Sequence, residues 1–335
     1  MGNPLTPDFR PQYHQLHRVG RPGEWRSIVG GLLALLLVFA LVPLVAGGVF
    51  FVLLLAAGNS ASEAAAVLDV TAEATPAGLA LLNVVIALAI PVTWAVTWWL
   101  HGLKPRWLSS VAPRLRWGYL LVCLVLSVVA LVASVGVSLL LPVVPAEAPV
   151  GEINDFTDRT RDFLLVILLL TPLQAAGEEY LFRGYLTQAF GSLAGVARRT
   201  SQVLAVLGPA LIFALFHGFS QDAPVFFDRF AFGVVAGILV IRTGGLEAAI
   251  AMHVLNNFLA FGLALAFGDL TTALNASGER SWWMILSTLT QSLVYLGLAT
   301  WVAKAMGLVN VGPPVGSALP PPVGDPVLER PPPRV

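Results

Sequence analysis

Three short polar clusters interrupt otherwise apolar stretches of this 335-residue chain. They are Gly177-Glu178-Glu179-Tyr180-Leu181-Phe182-Arg183-Gly184, Phe213-Ala214-Leu215-Phe216-His217 and His253-Val254-Leu255-Asn256-Asn257. On a helix, Glu179 and Arg183 are four residues apart and can pair across one face. Glu178 stands roughly 140° around from Arg183, at about 100° per residue. It is therefore less easily neutralised, and a buried carboxylate without a close cation suits a general base. His253 and Asn257 share a face by the same four-residue spacing, and Asn256 lies roughly 60° off His253. Each cluster also has a plainer reading. The acids and arginine can staple helices together, His217 can be an ordinary helix contact, and the histidine–asparagine pair can be polar glue.

Taken together, the clusters supply what amide hydrolysis by water requires: a base, a proton shuttle and donors for the oxyanion. Glu178 fits the base. His217 fits a group that activates or orients the water. His253 and Asn257 fit the oxyanion donors, with Glu179 and Arg183 holding the glutamate helix in place. No serine or cysteine nucleophile is needed. The single cysteine, Cys123, lies in an apolar stretch and excludes an internal disulfide.

The elements that must position these residues are membrane spans. Hydrophobic residues make up 57% of the chain and charged ones only 11%, against about 25% charged in a soluble domain. Net charge is zero, so there is no global attraction to nucleic acid. Apolar runs predict an all-α, polytopic bundle of about eight transmembrane helices, near 28–57, 77–103, 118–142, 163–193, 202–219, 226–241, 246–267 and 282–303. The sixth is short, and Pro43 and Pro172 are candidate kinks. Ionisable groups inside such spans cost about 2.5 kcal/mol or more on insertion scales, and so mark function by default.

Charge sorts the loops. Arg10, Arg18, Arg21 and Arg26 precede the first span; Lys104, Arg106, Arg114 and Arg116 follow the second. Arg198 and Arg199, then Arg242 and Lys304, continue the alternation, while the opposite loops carry Glu63, Asp69, Glu73, Glu147, Glu152, Asp155 and Asp158. The positive-inside rule places both termini in the cytoplasm. Trp25, Trp98, Trp99, Trp117, Trp282, Trp283 and Trp301 lie near span ends, as an interfacial belt does. The polar, proline-bearing start is no cleavable signal peptide. His14 and His17 lie in it, and His101 ends the second span.

In these clusters the sequence resembles the CPBP family, the CAAX-protease and bacteriocin-processing group. The family pattern is Glu-Glu-x-x-x-Arg, Phe-x-x-x-His and His-x-x-x-Asn. It is met here by Glu178, Glu179 and Arg183, by Phe213 and His217, and by His253 and Asn257. The resemblance covers roughly 160–268, which reads as the catalytic core. Around it lie a cytoplasmic segment at 1–27, leading spans within 28–142, a last span at 282–303 and a proline-rich tail at 305–335. Nine of the last 23 residues are proline, which predicts a disordered or polyproline-like tail.

The spans read as an integral protein of the plasma membrane, and the resemblance implies an intramembrane endopeptidase acting on a membrane-associated protein or peptide. Glu178 and His217 activate water, and His253 and Asn257 stabilise the oxyanion. Such proteins are often classed as metalloproteases. Two histidines and a carboxylate can hold zinc, but Arg183 opposes a cation and no His-Glu-x-x-His helix is present, so a metal-free mechanism is favoured. A non-catalytic scaffold or immunity factor keeping the fold is the alternative; a proton-coupled transporter predicts inverted repeats, which are not evident. The span boundaries place Glu178 mid-membrane, His217 near the outer end of its helix and His253 nearer the cytoplasm. Tilted or broken helices are needed to join them.

Overall fold

A backbone in hydrocarbon must satisfy its own N–H and C=O groups, and a charge-poor chain does so as helices. The computed structural model describes residues 7–21, 23–142, 152–193, 198–218, 222–275 and 282–315. Among these, eight helices are long and apolar enough to cross a bilayer. They are α1 Trp25–Ala56, α2 Pro76–His101, α3 Trp117–Ser138, α4 Asp158–Gly191, α5 Arg199–Phe216, α6 Ala223–Thr243, α7 Glu247–Phe267 and α8 Trp283–Ala305. The chain is an all-α integral membrane protein, as its apolar runs predict. The sixth helix is longer than the sequence suggested, because Pro224 sits in its first turn, where a missing N–H costs nothing.

Large apolar side chains such as Leu44, Val132 and Leu169 point outward from the bundle. In a soluble protein such a surface would aggregate; here it is the lipid-facing side. More than half of the α6 span is buried, against 22% of α1, so α6 is central and α1 peripheral. The seven tryptophans near span ends are all exposed.

Local signals set the helix ends. The Thr75 hydroxyl accepts the Gly78 N–H at 2.9 Å before Pro76 starts α2. Gly244 closes α6 at φ 74°, a left-handed conformation that favours glycine. A wide π turn at Leu37–Leu41 directly precedes Pro43 in α1, which fits a ring that blocks the preceding turn. Pro172 lies within α4 and Pro209 within α5, and neither ends its helix.

One end of the bundle carries a packed polar layer. Residues Tyr13–Val19 form a 3₁₀ turn with Tyr13, His14, Leu16 and His17 buried. The Tyr13 hydroxyl donates to the Leu108 carbonyl. The 104–116 loop turns back beneath α6 and α7: Val111 N–H donates to Gly244 O at 2.8 Å, and Leu246 N–H to Ser109 O at 2.9 Å. Gly312 N–H reaches Pro11 O at 2.7 Å and Val315 N–H reaches Phe9 O at 3.0 Å. The polar N-terminal segment is thus partly a buried lining rather than a loose leader. The tail from 305 begins as ordered chain on that lining, and residues 316–335 lie outside the described part. Pairing of the two terminal segments puts both on one side of the bundle.

Candidate functional site

The first cluster lies in the C-terminal half of α4. Gly177 makes room for it: a Cβ there would come within 2.2 Å of the Ile86 carbonyl oxygen on α2. Only glycine allows that backbone approach beside Glu178. Directly after Glu179 the helix widens into a π turn, Tyr180–Leu186, a distortion common at functional sites. Glu178, Glu179 and Arg183 are all buried.

Glu179 and Arg183 pair as their spacing predicts, Nη1 to Oε1 at 2.9 Å. The guanidinium also lies 4.2 Å from the centre of the Phe213 ring, a cation–π contact in desolvated surroundings. Phe213 further touches the rings of His217 and His253. The phenylalanine of the second cluster is therefore a platform that joins the arginine to both histidines.

Glu178 is held differently. Its Oε1 accepts from Gln174 Nε2 at 2.7 Å, and its Oε2 is buried with no hydrogen bond from the protein. His253, on α7, stands between the two acids. Its Nδ1 is 2.7 Å from Glu179 Oε1, and its Nε2 is 3.5 Å from Glu178 Oε2. A carboxylate paired with arginine can only accept, so Nδ1 carries a proton. Asn257 Nδ2 donates to Gln174 Oε1 at 2.9 Å. The neighbouring Asn256 accepts from Gln291 of α8 at 3.1 Å instead.

His217 follows the last residue of α5. Its Nδ1 is 2.7 Å from the Phe213 carbonyl. A carbonyl only accepts, so in the neutral ring the proton sits on Nδ1 and Nε2 keeps a lone pair. The residue is exposed. It makes no hydrogen bond to Glu178 or His253.

Antiparallel packing removes the expected mismatch in depth. Ser201 Oγ donates to the Gly191 carbonyl at 2.7 Å, so α5 begins level with the end of α4 and runs back along it. Gly208 faces Phe190, and Phe213 faces Phe182. Counting from that shared level, Glu178 lies about 20 Å away and His217 about 24 Å, at 1.5 Å per residue. The start of α7 rests on Ser109, whose hydroxyl is 2.6 Å from that of Tyr180. Its first turn is therefore beside the middle of α4. Pro209 is not required to break α5.

Zinc would need three or four donors converging at about 2 Å. Among the described residues, no three His, Cys, Asp or Glu side chains converge so. Glu178, Glu179 and His253 come nearest, but Glu179 is committed to Arg183 and His253, and Glu178 Oε1 to Gln174. As placed, these donors do not converge as a zinc site requires, and Arg183 is the cation that lies beside them.

Gln174 escaped the sequence reading. Its signal was present: one more polar side chain in the apolar run, four residues before Glu178 and so on the same face. An apolar cavity of about 750 Å³ runs beside the α4–α7 seam, lined by Trp94, Leu124, Leu173, Ala176, Tyr180 and Val254 among others.

Comparison with known proteins agrees with the resemblance carried by the three clusters. Residues 160–259 match the family model described as Type II CAAX prenyl endopeptidase Rce1-like. That interval contains Glu178, Glu179, Arg183, His217, His253 and Asn257. The chain is 26% identical over 237 residues to the uncharacterized protein YyaK of Bacillus subtilis (strain 168), covering 68% of this chain and 76% of that protein. No solved structure matches the chain.

Proposed function

We propose that the protein is an intramembrane endopeptidase that hydrolyses a peptide bond of a membrane-associated protein or peptide. The observation that carries this reading is the split state of Glu178: one oxygen is held by Gln174, and the other is buried, unbonded and 3.5 Å from His253 Nε2. A structural ion pair would fill both oxygens; a base needs one left open. The core at 160–268 is the catalytic unit, and the match to the CAAX endopeptidase model supports that assignment.

In this reading, Glu178 Oε2 takes a proton from water as the water oxygen bonds to the peptide carbonyl carbon. His217 Nε2, an acceptor in the neutral ring, orients the same water. Asn257 donates to the developing oxyanion through the second Nδ2 hydrogen beyond the one given to Gln174; His253 joins it through Nε2 of the doubly protonated ring, because its Nδ1 hydrogen is given to Glu179. As the C–N bond breaks, Glu178 returns its proton to the leaving amine nitrogen. Glu179 and Arg183 hold His253 and the π turn in register. The apolar cavity beside the seam gives an apolar segment of substrate a place to lie. The basic layer faces the cytoplasm, with both termini on that side of the plasma membrane.

The test is comparative proteomics of membranes containing the wild-type protein or Glu178→Gln. Wild type should yield truncated products, and the variant should accumulate the intact precursors at equal protein level. Identical product patterns from the two would overturn the reading.

A further inference from the structure

We propose that Gln174 is a positioning residue, an amide relay between Asn257 and Glu178 that decides which oxygen of Glu178 acts as base. The proposal rests on reading Glu178 as that base. Gln174 is buried and sits four residues before Glu178 on one face of α4. Its two polar ends are both used: Nε2 donates to Glu178 Oε1 at 2.7 Å, and Oε1 accepts from Asn257 Nδ2 at 2.9 Å.

The direction of this chain is fixed by chemistry. An ionised carboxylate has only lone pairs to offer, so Gln174 must turn its NH₂ toward Glu178. Its carbonyl oxygen then faces Asn257, which must answer with its own NH₂. One carboxylate thereby orients two amides on two helices. The outcome is asymmetric: Oε1 is occupied, and Oε2 alone remains to take a proton, on the side of His253. Without Gln174 the carboxylate can rotate and present either oxygen. Asn257 also loses the partner that aims it.

A helix-stapling role would equally bury a glutamine, so the test must read the carboxylate itself. Full-length protein in phosphatidylethanolamine–phosphatidylglycerol liposomes is treated with dicyclohexylcarbodiimide across a pH series. The reagent adds to a protonated carboxylic acid and stays attached as the acylurea. Adduct at residue 178 is read by mass spectrometry, with Glu178→Gln as blank. A donor to the ionised carboxylate favours that form, so Gln174→Met should move the half-labelling point up by about one pH unit. Gln174→Glu, which sets a second acid beside it, should move it further. For the peptide that wild type cleaves best in a quenched-fluorescence library, Gln174→Met should lower kcat by about 10–100-fold, as loss of such a supporting contact does. KM should stay within about two-fold, and the acid limb of the pH profile should move up with the labelling point. The acid-limb midpoint does not depend on the fraction of protein that is folded, because unfolded molecules do not cleave. Unshifted labelling and an unshifted acid limb in Gln174→Met, with Glu178→Gln inactive, would overturn this proposal alone. Cleavage by Glu178→Gln would instead overturn the reading of Glu178 as base, and this proposal with it.

Discussion

Among the described residues, two buried arginine–glutamate pairs lie in this bundle, and they are built in opposite ways. Arg116 and Glu247 are saturated. Arg116 Nη2 and Nε hold the two carboxylate oxygens at 2.6 and 2.8 Å, Nη1 reaches the Thr243 carbonyl at 3.0 Å, and the backbone N–H adds a further bond to Glu247. Arg183 and Glu179 share one direct bond, at 2.9 Å. Arg183 Nε and Nη2, Glu179 Oε2 and the adjoining Glu178 Oε2 are buried without a hydrogen bond. A half-satisfied polar network is costly to keep. The saturated pair clamps the start of α7 to the 104–116 loop; the unsaturated one leaves buried polar atoms open, the feature on which the proposed function draws. Burial of charge alone does not distinguish structure from chemistry; the two pairs differ in how much of their hydrogen-bonding capacity is used.

The comparison can be broken most directly at Glu178. Glu178→Gln should reduce cleavage about 1,000-fold, within the range for loss of a general base, while the thermal midpoint in detergent changes little. A large loss of stability with retained cleavage would reverse the assignment of the two pairs. The mirror experiment is Glu247→Ala. It leaves Arg116 buried without its acid and should cost about 3–5 kcal/mol of stability, read as early thermal unfolding. The molecules that stay folded should cleave within about two-fold of wild type, as expected for an independent site.

A finer probe is Phe213→Leu. It removes the ring beneath Arg183, a contact of about 2 kcal/mol when desolvated. Cleavage should fall about ten-fold through kcat rather than KM, and a pure KM effect would show that Phe213 contacts substrate instead.

The smallest effect concerns the polar layer at the end of the bundle. His17 stacks on His101 with ring centres 3.8 Å apart. Burial, reinforced by His101, holds the His17 imidazole well below its ordinary value of 6.5. The folded protein therefore resists a proton that the unfolded chain accepts. Stability on this account is full above about pH 7 and falls as pH drops through the unfolded value near 6.5. His17→Phe should flatten the fall in thermal midpoint between pH 7 and 5 and leave the pH profile of cleavage where it was. A shifted cleavage profile would tie this layer to the site.

Much of this was readable along the chain because it depends on neighbours in sequence. Twenty-residue apolar runs mark spans whatever their partners. The four-residue step pairs Glu179 with Arg183 on any helix, and it leaves Glu178 out of that pair. The loops' alternating charge pointed to an even number of spans, in keeping with terminal segments that meet on one side. Pairings across helices were not readable in this way. Asn257 was read as an oxyanion donor, yet it also donates to Gln174 Oε1. His253 was read with Asn257 and proves to bridge both acids. The N-terminal histidines were read as part of a polar leader, and they line a buried layer.

By itself the sequence determined that this chain lives in a membrane, how many times it crosses, and which polar residues burden its spans. Those properties follow from transfer energies and helix periodicity, which are local. Only the tertiary structure decided that α5 folds back along α4 to carry His217 toward the level of Glu178. It also decided that Gln174 closes the circuit to Asn257, and which carboxylate oxygen is left unbonded. Those outcomes depend on the depth and rotation of one helix against another. They are set by contacts such as Gly177 on Ile86 and Ser201 on Gly191, between residues far apart in the chain or on different helices.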